Sequence, residues 1–232
     1  MSFRVLSRTR SELASFIDHT LLRPDATRVE IERLCDEAAR WGFAAVCVNS
    51  AWVKLAARCL RGTLVRVSST VGFPLGAVAL PAKAVETRAA RRDGAAEFDM
   101  VIQIGALKSR DDAFVLRDIE GVVRGAGDGG RVKVILETSC LTRAEKVRGC
   151  RLAERAGAHF VKTSSGFLGG ATAGDVRLLR RTVGDRLGVK AAGGIRDAAT
   201  ALRMIRAGAS RIGTSAGVAI VKGMPSEGKA PY

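Results

Sequence analysis

Histidine, aromatic residues and paired cysteines are scarce in this sequence. Its only two histidines are His19 and His159, aromatic residues make up 5% of the chain, and none of its five cysteines belongs to a C-x-x-C pair. A zinc site built from cysteine and histidine is therefore not expected, and an odd number of cysteines argues against a disulfide framework. Most of the thiols are expected to be buried packing groups.

Long apolar segments are also missing. No run is long enough to cross a membrane, and Met1–Arg4 does not begin a charged and then apolar segment of the kind that directs secretion. We therefore expect a cytoplasmic protein with no membrane partner. The chain has 232 residues, of which 47% are hydrophobic, and this is ample material for one large core.

Acidic residues are outnumbered by basic ones, and the formal net charge is +15. A surplus of this size raises nucleic acid as a partner. The 38 basic residues comprise 9 lysines and 29 arginines, spread through segments typical of helix exteriors and not gathered in a dense block with interleaved aromatics. We therefore expect no specific nucleic-acid partner, only non-specific attraction to polyanions.

Short apolar runs alternate with charged segments of helical period from end to end. Thr27 with Glu30, and Thr142 with Glu145, form T-x-x-E capping boxes that begin two of the helices, and Asp197 is a plausible cap of a third. The predicted strands lie at 16–22, 44–48, 64–71, 98–104, 132–137, 160–162, 188–192 and 210–213.

Eight strand–helix units predict an α/β fold. The units suit a closed (β/α)8 TIM barrel formed as a single domain by residues 1–222, followed at 223–232 by a flexible tail rich in Gly, Pro, Ser and Lys. An open doubly wound sheet is the alternative, but its edge strands are usually more polar than these. In such a barrel the active site lies at the carboxyl ends of the strands.

The sixth predicted strand ends in a lysine. The stretch Phe160–Gly166 is an apolar run that reaches Lys162 and then opens into a small polar turn. Burial of an unpaired ammonium is costly, and loss of its proton leaves an amine that acts as a nucleophile. The alternative is a surface lysine whose stem follows the end of the strand.

The strand ends bring polar and charged groups to the same rim. They are Asp18, Asn49, Asp99, Gln103, Glu137, Lys162 and Lys190. Lys162 and Lys190 end neighbouring strands, which lie about 5 Å apart. Two ammonium groups at that separation repel, so we expect each lysine to lower the pKa of the other. Asp99 would hold the protonated partner or relay a proton, and the alternative is a structural network of ion pairs.

Glycine turns follow the last strands. Gly193–Arg196 and Gly213–Gly217 each lead into a helix, in the loops that often bind phosphate in barrels. We therefore favour a phosphate site over plain turns. The predicted phosphate-binding residues are Gly166, Gly193, Gly194, Gly213 and Ser215. The stretch Gly72–Gly76, after the third strand, is interpreted as a rigid wall of the rim.

Three further residues receive a structural interpretation. Cys47 lies in an apolar strand without an evident histidine base, which is more typical of packing than of a nucleophile. His19 is interpreted as a satisfied barrel histidine and not as a base. Tyr232, the only tyrosine, ends the tail. It could swing over the mouth and shuttle a proton, but a disordered end is the simpler interpretation.

Eight stretches, taken in order along the chain, resemble the 2-deoxyribose-5-phosphate aldolase family. They are 17–24 (IDHTLLRP), 46–49 (VCVN), 72–76 (GFPLG), 99–108 (DMVIQIGALK), 133–138 (KVILET), 161–164 (VKTS), 190–196 (KAAGGIR) and 211–215 (RIGTS). Because they recur in order from the first strand to the last, the resemblance covers nearly the whole chain.

The resemblance implies that Lys162 forms a Schiff base, that Lys190 tunes the pKa of Lys162, and that Asp99 works with Lys190 in proton transfer. It also implies a (β/α)8 barrel with no metal and no cofactor, usually assembled as a homodimer or homotetramer. The predicted substrate-pocket residues are Asp18, Thr20, Cys47, Phe73 and Gln103.

The implied reaction is the reversible cleavage of 2-deoxy-D-ribose 5-phosphate to D-glyceraldehyde 3-phosphate and acetaldehyde, in deoxyribonucleotide catabolism. The alternatives are another barrel lyase or isomerase acting on a phosphorylated sugar, and a non-catalytic polyanion-binding protein. Two positions depart from the family. Gln103 stands where Asn is common, which leaves substrate preference open, and Ser165 stands where Thr is frequent, which keeps the hydroxyl.

Overall fold

Eight parallel strands pair in the order of the chain and close into one barrel in the computed structural model, which describes residues 10–223. The strands are β1 (Ile17–Leu21), β2 (Ala45–Val48), β3 (Arg66–Val71), β4 (Glu97–Val101), β5 (Arg131–Ile135), β6 (Phe160–Lys162), β7 (Gly188–Ala192) and β8 (Arg211–Thr214). The barrel closes where β1 pairs with β8, through Ile17 and Ile212. The predicted (β/α)8 barrel is confirmed, and the open doubly wound sheet is excluded.

Helices cover the outside of the barrel. They are α1 (Arg10–Ala14), α2 (Arg28–Trp41), α3 (Val53–Cys59), α4 (Leu80–Arg92), α5 (Ile104–Lys108), α6 (Asp112–Ala126), α7 (Arg143–Arg155), α8 (Ala173–Val183), α9 (Ala198–Arg206) and α10 (Gly217–Lys222). No helix within residues 10–223 has the length and hydropathy needed to cross a membrane. The predicted tail, apart from Gly223, lies outside the described residues, as do Tyr232 and Met1–Arg4.

The starts of several helices follow local hydrogen-bonding rules. Both predicted capping boxes are present: Thr27 and Thr142 each accept the backbone N–H three residues on, and Glu30 and Glu145 accept the N–H of the threonine. A cap of this kind stabilises a helix by about 1 kcal/mol. Asp197 caps α9 as predicted, through the N–H of the residue at 200.

The ends of β4 and β5 differ from the prediction. β4 stops at Val101 and not at residue 104, because Gln103 caps the short helix α5 by accepting the N–H of Ala106. β5 stops at Ile135 and not at residue 137, because Glu137 takes a left-handed backbone conformation with a φ of 55°. Both corrections lie at carboxyl ends of strands, where the following loop sets the boundary.

Alternation along the strands separates two buried regions. Outward-facing residues such as Val46, Met100 and Val134 pack beneath the helices and form the apolar core. Each fully buried large side chain contributes about 1.5–3 kcal/mol, so this shell carries the fold. His19 also belongs to it: its Nε2 lies 2.7 Å from Glu37 Oε2, in keeping with a packing role, but its buried Nδ1 has no hydrogen-bond partner within residues 10–223, so the interpretation as a satisfied histidine holds for one ring nitrogen and not for the other. The inward-facing residues are largely polar or charged.

Candidate active site

Seven ionisable side chains meet inside the barrel. They are Asp18, Glu97, Asp99, Lys133, Lys162, Lys190 and Arg211, and none is more than 6% exposed. Their contacts cross from one wall to the other: Lys133 Nζ lies 3.6 Å from Asp18 Oδ2, and Arg211 donates to Glu97 Oε2 at 3.1 Å. Charges in such a space are stable only when they are paired, because the surrounding protein screens them weakly.

Asp99 is the centre of this cluster. Its Oδ1 accepts hydrogen bonds from Lys133 Nζ at 2.7 Å and from Ser68 Oγ at 3.0 Å. Its Oδ2 accepts from Lys162 Nζ at 2.8 Å and from Lys190 Nζ at 2.7 Å. Burial alone would raise the pKa of Asp99, but the three ammonium groups outweigh burial and hold the pKa well below its usual range. Asp99 is therefore a carboxylate at neutral pH.

Lys190 lies between two carboxylates. Its Nζ donates to Asp18 Oδ2 at 2.6 Å and to Asp99 Oδ2 at 2.7 Å. Burial disfavours its charge, yet the two carboxylates outweigh burial, and the pKa of Lys190 is raised above the usual lysine value. The expectation that each lysine lowers the pKa of the other is therefore wrong for Lys190, which keeps its proton because Asp18 approaches it from β1.

Lys162 is less well paired. It stands directly beside Lys190 in the register of β6 and β7, and Asp99 is the only carboxylate at ion-pair distance among the described residues. Burial lowers the pKa of Lys162, Asp99 opposes the lowering, and the charge of Lys190 adds to it. The predicted direction is confirmed for Lys162, but desolvation is a larger cause than crowding by a second cation.

The balance of charge inside the barrel supports the same assignment. Three carboxylates face four basic groups in the cluster. Lys133, Lys190 and Arg211 each lie at ion-pair distance from at least two of the carboxylates, whereas Lys162 reaches one. The cluster is neutral when Lys162 alone has lost its proton. An uncharged amine is the nucleophilic form of lysine.

Three members of the cluster, Lys133, Glu97 and Arg211, were not predicted from the sequence. Lys133 Nζ lies 2.7 Å from both Glu97 Oε2 and Asp99 Oδ1, and Arg211 bridges Asp18 and Glu97. The sequence feature that could have identified them is a charged residue between apolar neighbours of a predicted strand. Such a residue is unusual, because parallel strands covered on both faces are usually unbroken apolar runs. Lys133 and Arg211 supply cations that the buried carboxylates of Asp18 and Asp99 need as partners, and Glu97 balances the charge of both basic residues.

Other predicted pocket residues lie next to the cluster or at the rim. Cys47 is buried with its Sγ 4.0 Å from Asp99 Oδ2, and burial raises the pKa of the thiol, in keeping with a packing role. Thr20 is buried on β1 and donates to the carbonyl oxygen of Asp18 at 2.8 Å. Phe73 lies in the loop after β3, at the rim of the mouth.

Three polar residues at the strand ends lie outside the ion cluster. Gln103 Oε1 accepts the N–H of Ala106, in the first turn of α5, at 3.1 Å. Asn49 Nδ2 donates to the carbonyl oxygen of Leu22 at 3.2 Å. Glu137 Oε2 accepts the N–H of Ser165 at 3.1 Å, so it holds the loop that follows Lys162. These side chains shape the loops around the mouth.

The glycine turns after β6 and β7 touch each other. Gly166, Gly193 and Gly194 have φ values of 95°, 93° and 76°, and a Cβ on Gly193 would lie 3.4 Å from Gly166 Cα. Within residues 10–223 no backbone carbonyl accepts the N–H of these glycines or of Ser215. Successive unused backbone donors in tight turns form a concave setting that suits an anion.

Gly213 has different surroundings from the other glycines. It lies within β8 and not in the turn after it, and a Cβ there would lie 2.9 Å from Lys190 Cε and from Ala192 Cβ. The missing side chain therefore leaves room for Lys190 in the interior. A phosphate contact of Gly213 stays a prediction.

A closed parallel barrel with a buried lysine of lowered pKa at the carboxyl end of a strand is typical of (β/α)8-barrel enzymes that use an amine as a nucleophile. The chain belongs to the DeoC/LacD family of aldolases, whose family model matches residues 13–223. It is therefore an aldolase, a carbon–carbon lyase.

Relatives of known name match almost the whole chain. The deoxyribose-phosphate aldolase of Geobacillus sp. (strain WCH70) is 56% identical over 214 residues, which are 92% of this chain and 96% of that protein. The deoxyribose-phosphate aldolase of Thermococcus kodakarensis is 56% identical over 222 residues, 94% of this chain and 99% of that protein.

Solved structures of aldolases share the fold. The aldolase QR15 has a TM-score of 0.87 at 40% identity, covering 91% of this chain and 95% of its own. The deoxyribose phosphate aldolase from Aeropyrum pernix, described as having a unique tetrameric structure, has a TM-score of 0.86 at 34% identity, covering 92% and 91%.

Proposed function

We propose that this chain cleaves 2-deoxy-D-ribose 5-phosphate reversibly to D-glyceraldehyde 3-phosphate and acetaldehyde. Two relatives that match nearly the whole chain are named deoxyribose-phosphate aldolase. The observation that carries the proposal is Lys162, whose pKa is lowered by burial and whose only carboxylate partner within residues 10–223 also serves two other lysines. Its substrates are a phosphorylated sugar and, in the reverse direction, two aldehydes.

Lys162 supplies the nucleophile. Its uncharged Nζ adds to the C1 aldehyde carbon of the sugar, and water leaves to give a protonated imine. The imine withdraws electrons from C2, so the C2–C3 bond breaks when a base removes the proton of the C3 hydroxyl. That oxygen becomes the aldehyde oxygen of glyceraldehyde 3-phosphate, while the bonding electrons stay on C2 as an enamine. Protonation of C2 and addition of water then release acetaldehyde and the free amine.

Asp99 and Lys190 carry the proton transfers, through an ordered water where the distance requires it. Asp99 Oδ2 is 2.8 Å from Lys162 Nζ and 2.7 Å from Lys190 Nζ, so a proton that leaves one group has an acceptor beside it. The charge of Lys190 favours the neutral form of Lys162 before reaction, and Asp99 stabilises the imine cation that follows.

The phosphate is held by the turns that follow the last three strands. Its predicted contacts are the backbone N–H groups of Gly166, Gly193, Gly194, Gly213 and Ser215. Binding of a group remote from the scissile bond fixes the reacting carbons relative to Lys162, which converts binding energy into rate.

Reductive trapping tests the Schiff base. Borohydride added together with acetaldehyde should leave an ethyl group on Lys162 Nζ, because hydride adds to the imine carbon, and peptide mass spectrometry locates it. Lys162→Met should lose both the label and the cleavage of deoxyribose 5-phosphate. Lys108→Met is the matched control, since Lys108 is 44% exposed on α5 and pairs with Glu145 outside the barrel. A label on any other lysine would contradict the assignment.

We also propose that the chain assembles as a homodimer or homotetramer. A relative with a TM-score of 0.86 is described as tetrameric. Light scattering on the purified protein should give two or four times the mass of one chain, and a monomer that is fully active would contradict this proposal.

A further inference from the structure

The loops after β3 and β6 meet above the barrel. Phe73 and Phe167, one from each loop, have ring centroids 5.3 Å apart at an interplanar angle of 87°, which is an edge-to-face contact. In the closed strand order, β4 and β5 lie between the strands that these loops follow. The ring contact therefore spans the carboxyl ends of β4 and β5.

The loop after β3 is seated on the end of β4. A Cβ at Gly76 would overlap the carbonyl oxygen of Ile102, so only glycine allows the loop to approach the strand this closely. The N–H of Gly76 donates to the carbonyl oxygen of Gly72 at 2.7 Å, and the N–H of Gly72 donates to Glu86 Oε2 at 2.8 Å. The backbone is thus held on both sides of Phe73.

The loop after β6 is seated on the turn that follows β5. The N–H of Ser165 donates to Glu137 Oε2 at 3.1 Å, and the N–H of Phe167 donates to Ser165 Oγ at 3.0 Å. Two residues beyond Phe167, a Cβ at Gly169 would lie 2.6 Å from Ser139 Cβ. This loop is also held on both sides of its aromatic residue.

We propose that Phe73 and Phe167 form a specificity-determining wall of the active site, an inference that rests on the proposed aldolase function. The two rings close the side of the mouth above β4 and β5. A sugar attached to Lys162 then extends toward the glycine turns after β7 and β8, where Gly193 and Gly194 have unused N–H groups. The wall excludes aldehydes whose bulky substituent would extend over β4 and β5, and so favours a slender aldehyde that ends in phosphate.

The test runs the reaction in the direction of synthesis, with acetaldehyde as the donor. The measured quantity is the ratio of kcat/KM for 3-phenylpropanal, which is bulky and has no phosphate, to kcat/KM for D-glyceraldehyde 3-phosphate. Phe167→Ala should raise this ratio about tenfold, because one side of the mouth opens for the phenyl group. Phe73→Leu should raise it less, and the double variant should add little to Phe167→Ala, because the two rings form one wall.

Leu168→Ala is the matched control. Leu168 is the next residue of the same loop and is 50% exposed, so its truncation should leave the ratio unchanged. The rate at which acetaldehyde and borohydride label Lys162 should be the same in Leu168→Ala as in the wild type, and Lys162 should still be the labelled residue in the Phe73 and Phe167 variants, which shows that the amine is intact. If Phe167→Ala fails to fold, Phe167→Leu should change the ratio in the same direction by a smaller factor.

The outcomes separate the wall from the proposed function. A wild-type enzyme that joins acetaldehyde to glyceraldehyde 3-phosphate, with the same ratio in Phe167→Ala and Leu168→Ala, overturns the wall alone. Effects of Phe73→Leu and Phe167→Ala that simply multiply also overturn it, because independent rings do not form one wall. A wild-type enzyme that neither joins these aldehydes nor cleaves deoxyribose 5-phosphate overturns the proposed function and the wall with it.

Discussion

Lys162 and Lys190 donate to the same carboxylate oxygen, Asp99 Oδ2, at 2.8 and 2.7 Å. Lys190 also donates to Asp18, and the two carboxylates outweigh burial and raise its pKa. Lys162 has no second carboxylate at ion-pair distance within residues 10–223, and burial lowers its pKa. Of two neighbouring lysines on one acceptor, Lys190 therefore holds its proton more firmly, and Lys162 loses its proton more readily and is the proposed nucleophile.

Removal of Lys190 should make the neighbouring amine of Lys162 less reactive. In Lys190→Met, Asp99 loses one of its cations and pairs more strongly with Lys162, whose pKa should rise. We expect kcat/KM at neutral pH to fall by about 10²–10⁴-fold, because less free amine is present and a proton-transfer group is gone. The rising limb of the pH profile of kcat/KM should move to higher pH, and the profile is the measurement that checks it.

A lysine outside the barrel is the control for this pH profile. Lys146 pairs with Asp175 at 2.5 Å between α7 and α8, and both side chains are 15% exposed. Lys146→Met should keep the wild-type limb. A Lys190→Met variant whose limb coincides with that of the wild type would show that Lys190 does not control the protonation of Lys162.

Lys162 should lower the stability of the protein in return for its reactivity. In Lys162→Met the buried amine is replaced by an apolar chain of similar length, while Asp99 keeps Lys133, Lys190 and Ser68 as donors. We expect the free energy of unfolding at neutral pH to rise by about 1 kcal/mol, as measured by urea denaturation.

The pH dependence of this difference has a definite sign. The folded pKa of Lys162 is lowered, so the folded state binds fewer protons than the unfolded state between the two pKa values. Wild-type stability is therefore lost as the pH falls from the unfolded lysine value through the lowered folded one, and the advantage of Lys162→Met should widen over that interval. An advantage that shrinks as the pH falls would contradict the assignment.

Replacement of Lys133 should lower the free energy of unfolding, the opposite of the effect expected for Lys162. Its Nζ lies 2.7 Å from Glu97 and from Asp99 and 3.6 Å from Asp18, so Lys133→Met leaves three buried carboxylates with fewer partners. We expect a loss of about 3–5 kcal/mol in the free energy of unfolding, measured by the same urea titration. Equal effects of Lys133→Met and Lys162→Met would mean that both lysines are charged to the same degree.

A second buried ion pair joins two helices outside the barrel, next to the carboxyl end of β4. Lys83 of α4 pairs with Asp118 of α6, both almost fully buried, and Lys83 Nζ donates to the carbonyl oxygen of Val101 at 2.8 Å. Burial lowers the pKa of Lys83 and raises that of Asp118, and each partner opposes the shift of the other. Asp118→Leu leaves an unpaired ammonium and should cost about 3–5 kcal/mol of unfolding free energy.

The double variant Lys83→Met with Asp118→Leu is the control for this pair. It removes both charges, and we expect it to recover most of the stability lost in Asp118→Leu, as a double-mutant cycle from urea titrations would show. If the two substitutions instead add in full, the ammonium of Lys83 is not the source of the cost.

The number and order of the strands could be predicted because they depend on local information. Apolar runs of strand length and capping residues such as Thr27 and Thr142 each act over a few positions of the chain. The adjacency of Lys162 and Lys190 could also be predicted, since consecutive strands of a parallel barrel are neighbours. The lowered pKa of Lys162 followed from that adjacency together with burial.

Contacts across the barrel could not be predicted in the same way. Whether Asp18 reaches Lys190, or Arg211 reaches Glu97, depends on how far the strands are shifted relative to each other when the barrel closes, and no local pattern encodes that shift. Lys133 stands between two valines of a strand that is buried on both faces. The sequence therefore did not predict which carboxylates lie next to its side chain. The raised pKa of Lys190 depends on such a contact.

Alanine at Gly213 and alanine at Gly194 should change the kinetics of the enzyme in different ways. A Cβ at Gly213 would lie 2.9 Å from Lys190 Cε, whereas a Cβ at Gly194 meets nothing within 4 Å but requires a φ of 76°, which alanine rarely adopts. Gly213→Ala should displace Lys190 and lower kcat about 10²-fold for deoxyribose 5-phosphate and for deoxyribose alike. Gly194→Ala should distort the predicted phosphate turn and raise KM for the phosphorylated sugar only. Kinetics with the two sugars distinguish these outcomes: a Gly213→Ala variant impaired only toward the phosphorylated sugar would show that the predicted phosphate contact of Gly213, and not its packing against Lys190, determines the effect.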